Sequence, residues 1–84
     1  MHATHPEILP RLKRAEGHLR SVIAMIEQGK PCVELAQQLQ AVEAAIARAK
    51  QELILDHIEH CLEDGQEGDA KTALRDLKQL ARYL

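Results

Sequence analysis

The stretch from Pro31 to Glu63 reads as one unbroken helix, and nothing else in this chain of 84 residues limits the fold so tightly. At ~1.5 Å per residue such a helix rises about 50 Å, further than a globule built from so short a chain can enclose. It therefore needs packing partners along its length. Its apolar residues Leu35, Leu39, Val42, Ile46, Ala49 and Leu53 step alternately by four and three, the spacing of a helix-packing seam. Steps of four carry that seam on to His57 and then to Cys61. Leu55, Ile58 and Leu62 add a second apolar face near the end, which predicts burial there on two sides.

Two shorter helices flank the long one. A polar tail, with residues 1–5 as its flexible part, runs into a helix with Pro6 in its first turn and Pro10 still near the start. Ile8, Leu12, Ala15, Leu19, Val22, Ile23 and Ile26 give that helix its apolar stripe. Gly29 suits the position after its end, and Pro31 the first position of the next helix. The polar break 64–68 precedes Asp69, an N-cap for a third helix carrying Leu74, Leu77, Leu80 and Ala81. Tyr83 is the one aromatic residue, so the core must be aliphatic and alanine-rich. Four glycines and three prolines, with no strand pattern and no repeat, make residues 1–84 a single all-α, three-helix domain. No apolar run approaches the length of a membrane span. Two cysteines without an export signal point to reduced thiols and a cytoplasmic protein.

Those thiols belong to the chain's most chemical pattern. His57 and Cys61 are four apart and share a helix face, whereas Cys32 lies 25 residues before His57, about 37 Å along the axis. One helix cannot bring all three together. A second copy running antiparallel can, and its crossing point follows from the ligand numbers. The midpoint of 32 and 57 falls between Ala44 and Ala45, and that of 32 and 61 between Ile46 and Ala47. Ala41 and Ala49 flank this run, and small residues let two helices approach closely. Two thiolates with an imidazole suit Cu(I), Ni(II), Co(II) or Zn(II), and ligand type excludes Mg(II) and Ca(II). His2 and His5 in the tail are candidate further ligands. His60 points ~100° from Cys61 and fits a surface or supporting role better than ligation. His18 reads as a surface residue.

Charge is unevenly divided. Residues 1–50 hold seven Lys/Arg against five Asp/Glu, while residues 51–84 hold four against eight. Arg11, Lys13, Arg14 and Arg20 give the first helix a basic character, and Arg48 adds charge to the second, enough to meet an anionic partner. No helix-turn-helix, zinc finger or basic-zipper pattern is present, so these residues alone do not establish DNA binding. Nothing marks a pocket with an oriented base and an oxyanion site, which argues against an enzyme.

From Arg11 to Cys61 the chain resembles the family of small bacterial repressors that includes CsoR, RcnR and FrmR. The marks are R-x-x-R-x-x-G in the first helix and the spacing Cys32–(24 residues)–His57–x-x-x–Cys61. The resemblance implies three-helix subunits in antiparallel dimers that pair into flat tetramers. It also implies binding to operator DNA that ends when the metal site fills, with no organic cofactor and no membrane partner. Cys32, His57 and Cys61 match the copper(I)-sensing site and most of the nickel/cobalt site, while Arg11, Arg14 and Arg48 match basic positions used for DNA. Pro31 stands where copper sensors carry Tyr, and Leu77 where they carry Glu, so the hydrogen bonds that tune a copper site look absent. His2 and His5 resemble the N-terminal ligand of nickel/cobalt sensors. The expectation is a repressor released by Ni(II)/Co(II), with Cu(I) close behind. An aldehyde or persulfide sensor is the near variant, and a metal-handling helical bundle without a DNA role is the alternative of another class.

Overall fold

The computed structural model describes residues 6–64 and 70–84, the side chains of 61–64 and 70 excepted. It contains three helices, α1 (Ile8–Glu27), α2 (Cys32–Asp64) and α3 (Ala70–Ala81). There is no strand among the described residues. The tail 1–5 and the expected N-cap Asp69 lie outside them. No described helix is long and apolar enough to cross a membrane.

Helix ends depart slightly from the sequence reading, each for a local reason. α1 begins at Ile8, so Pro6 precedes it in a turn and Pro10 occupies its third position. A missing N–H costs nothing there, because first-turn amides have no intrahelical acceptor. Gln28 caps the end of α1. The Gly29 amide then donates to Ile26 O (3.0 Å) and the Lys30 amide to Met25 O (3.1 Å). This Schellman closure needs a left-handed residue, and Gly29 supplies it at φ 76°. Pro31 caps α2 rather than opening it, since the Leu35 amide donates to Pro31 O at 3.0 Å.

Two compact units share α2. The first, Pro6–Ala49, is a hairpin of α1 and the first half of α2. Its core is Ile8, Ala15 and Val22 from α1 with Val42 and Ala49 from α2, all buried. Within each helix these residues stand seven apart, so a single line of side chains closes the hairpin. The rest of each predicted stripe stays open. Leu12, Leu19, Ile23 and Ile26 of α1 are exposed, as are Leu39 and Ile46 of α2. The single seam read from the sequence is thus two lines, one packed within the chain and one facing outward.

The second unit takes in Lys50 onward, the end of α2 with α3. Ile54 is its one buried apolar residue among those described. The expected two-sided burial of this end is not found in the single chain, because Leu55 is 53% exposed while Ile58 is half-buried. α3 turns Ala73, Asp76, Leu77 and Leu80 inward and leaves Leu74 exposed.

Candidate metal centre

Cys32 is the first residue of α2 and its thiol is free and exposed. The Gly29–Pro31 turn places it there by ending one helix and capping the next. His57 lies 25 residues further along the same continuous helix, in the other unit, and its side chain is 22% exposed. Cys61 follows His57 by one turn, and its side chain lies outside the described atoms, as do His2 and His5.

The surroundings of His57 add a group that the sequence reading did not single out. Leu77 is half-buried and offers the imidazole no hydrogen bond, in keeping with the expectation. Yet Asp76, one residue earlier, places Oδ2 4.0 Å from His57 Nε2. That distance exceeds a hydrogen bond but is within ion-pair reach, so a small rotamer change would close it. Asp76 lies on the inner face of α3, between Ala73 and Leu80. Its side chain is still 48% exposed, so it is open to water as well as to the facing imidazole, and its place within the apolar stripe was visible in the sequence. A cleft of about 520 Å³ opens beside the pair, lined in part by Ile54, His57, Asp76, Leu80, Arg82 and Tyr83.

The other histidines face elsewhere. His60 turns back along its own helix, where Nδ1 lies 2.9 Å from Asp56 O and 3.4 Å from Asp56 Oδ1. His18 is not a surface residue. It is half-buried, and its Nε2 meets Gln38 Oε1 at 2.7 Å, tying α1 to α2. The amide oxygen is an acceptor, so the imidazole donates in this bond.

The predicted basic residues all fall in the hairpin unit. Lys13, Arg14, Arg20 and Arg48 are exposed and Arg11 is half-buried. Arg20 already meets Glu16 at 3.5 Å one turn back on α1.

A thiol and an imidazole are donor types that suit a transition metal, and among the described residues no three His, Cys, Asp or Glu side chains gather to hold one. The imidazole of His57 has a carboxylate within 4.0 Å of one ring nitrogen, which a small rotamer change would turn into the supporting bond common behind metal-binding histidines. Similarity to known proteins points the same way. Residues 4–83 match the family described as metal-sensitive transcriptional repressor. The copper-sensing transcriptional repressor CsoR of Bacillus subtilis is 38% identical over 72 residues, covering 84% of this chain and 71% of that protein. CsoR of Mycobacterium ulcerans is 33% identical over 76 residues, covering 89% of this chain and 65% of its own length. The chain thus spans about two thirds of these relatives. The nickel-responsive transcriptional regulator InrS superposes with a TM-score of 0.81 at 31% identity, covering all of this chain and 97% of that one. Proteins of this family are repressors rather than enzymes, and this chain belongs to the metal-sensitive transcriptional repressor family.

Proposed function

We propose that the protein is a cytoplasmic repressor that holds operator DNA without metal and releases it when Ni(II) or Co(II) binds. Cys32 of one subunit, with His57 and Cys61 of a second, would hold the ion, and His2 or His5 of the tail would complete the set. The observation that carries the metal-binding part of this reading is the approach of Asp76 Oδ2 to His57 Nε2 at 4.0 Å, from which a small rotamer change would leave Nδ1 as the basic nitrogen. The metal supplies Lewis acidity that selects thiolate and neutral imidazole. The chain supplies the positioning. Release follows by linkage, because a ligand that prefers one state of the assembly weakens whatever binds the other state by the same factor.

A second copy supports the reading on apolar grounds. Leu12, Leu19, Ile23, Ile26, Leu39 and Ile46 form an exposed apolar set larger than isolated surface residues account for. Ala44, Ala45 and Ala47, at the expected crossing, are exposed in the single chain and free to receive a partner helix. An antiparallel dimer, paired into a tetramer, covers both. DNA contact is assigned to Arg11, Lys13, Arg14 and Arg48, with Arg20 weakened as a candidate by its pairing with Glu16.

Cu(I) is the second reading, favoured by the names of the CsoR relatives and by Asp76, which restores a carboxylate behind the histidine. The tail histidines and the likeness to InrS favour nickel. Titrating the protein onto its own upstream promoter DNA, with and without each metal, tests the proposal. Promoter binding by metal-free protein and release by Ni(II) or Co(II) are expected. Failure to bind promoter overturns the repressor reading, and release by Cu(I) alone transfers the assignment to copper.

A further inference from the structure

Gly17 sits in the middle of α1, where nothing within the chain asks for a glycine. Glycine is the poorest helix former after proline, because it gives up the most backbone freedom. The usual reasons for accepting it do not apply at this position. Its φ is not positive, unlike that of Gly29. A Cβ at Gly17 meets no atom within 4 Å, so among the described residues no side chain fills the space. Alanine would fit there and strengthen the helix. The bare backbone at Gly17 therefore answers to a body outside the single chain.

Its surroundings on α1 tell which body. Within ~60° of Gly17 around the helix stand Pro10, Lys13, Arg14, Arg20, Ser21 and Ala24. Lys13, Arg14 and Ser21 are exposed. The arc holds no carboxylate, since Glu16 and Glu27, the acidic residues of α1, lie ~80–100° away. Both apolar lines face elsewhere. Buried Ile8, Ala15 and Val22 stand ~140–180° from Gly17, and the open residues Leu12, Leu19, Ile23 and Ile26 ~120–180° from it. A second copy that covers the open line thus approaches α1 from the far side. Gly17 is left to a polar, anionic partner, and a transcriptional repressor has one in its operator DNA.

We propose that Gly17 is the point at which α1 lies directly against the DNA backbone, its missing side chain letting a sugar–phosphate strand reach the helix surface. The inference rests on the DNA-binding reading above and adds to it a positioning residue that carries no charge. With the strand so close, Lys13 and Arg14, one turn before Gly17, flank its phosphates. The Ser21 hydroxyl, one turn beyond, donates to a phosphate oxygen. Such a contact fixes where α1 lies on the duplex without reading bases. A side chain at this position would hold helix and strand apart and lengthen each of those reaches.

Gly17→Ala and Gly17→Leu, made in the full-length protein, separate this role from a structural one. Both should raise the thermal unfolding midpoint at fixed protein concentration, since each replaces glycine by a better helix former. Both should also weaken binding to promoter and to unrelated duplex alike, Leu by roughly tenfold or more and Ala by less. Metal affinity, and oligomeric state in ultracentrifugation, should stay at wild-type values. Unchanged DNA affinity in both variants, with wild type still binding promoter, overturns this inference alone. A lower midpoint in Gly17→Ala places the need for glycine within the fold and overturns it too. Loss of the wild-type oligomer in either variant makes Gly17 a contact between copies, and the DNA assignment falls. Absence of any DNA binding by wild type overturns both readings.

Discussion

The two units of this chain spend their hydrophobic residues differently. In Pro6–Ala49 a regular line of five buried side chains closes a hairpin of long helices, with a Schellman turn at one end and a half-buried His18–Gln38 bond between the helices. From Lys50 onward Ile54 alone is buried among the described residues, and a cleft with His57, Asp76 and Arg82 takes the place of a core. α3 has 12 residues, a length at which an isolated helix is marginal, so its order depends on packing. Regions that switch are drawn from the less stable parts of a protein. Under the proposed function the hairpin would serve as scaffold and DNA contact, and the α2–α3 end would sense the metal.

The sharpest way to break this division is to separate the ligands. Cys32→Ala alone and His57→Ala/Cys61→Ala alone should each abolish tight nickel binding, while mixed dimers refolded from the two should regain one site. Isothermal titration reads the stoichiometry, and no recovery would mean that the site is intrachain or that Cys32 is not a ligand. Next in size is Asp76→Asn. It keeps the shape but removes the charge behind His57, and metal affinity should fall by roughly 10–100-fold. Leu77→Gln should leave that affinity near wild type, and equal losses in both variants would make α3 a packing element with no part in sensing. Deleting residues 1–5 should weaken Ni(II) or Co(II) by about tenfold and barely change Cu(I), since nickel gains a fourth donor from the tail. Unchanged nickel affinity would leave copper the better assignment. The smallest effect tests the scaffold: His18→Ala should cost ~1 kcal/mol of stability in denaturant unfolding at fixed protein concentration, with metal affinity intact. A change in metal affinity there would dissolve the distinction between the units.

Much of this architecture is written in residue spacing. The four-three alternation in α2, the stripe of α1, Gly29 and Pro31 fix three helices and their order, because helical periodicity and turn chemistry are local properties. The His57–Cys61 pair and its distance from Cys32 are equally local, and they alone suggest a site that spans two copies. Spacing could not decide which half of an apolar seam closes the hairpin. Val42 and Ala49 go inward while Leu39 and Ile46 stay open, a choice that depends on the angle at which α1 lies across α2. Nor could it show that His18 reaches Gln38, twenty residues away.

Asp76 marks the boundary between the two kinds of information. Its place inside the stripe formed by Ala73, Leu77 and Leu80 is legible from the chain. That His57 lies within 4.0 Å of it depends on how α3 folds back on α2, which no single-helix periodicity records. The sequence by itself determined the helices, the ligand types and the chemistry they suit, since these follow from side-chain identity and 3.6-residue geometry. Only the tertiary structure decided which carboxylate stands behind the histidine and which apolar line stays open. Both are properties of two helices in contact, and each helix alone leaves them undetermined.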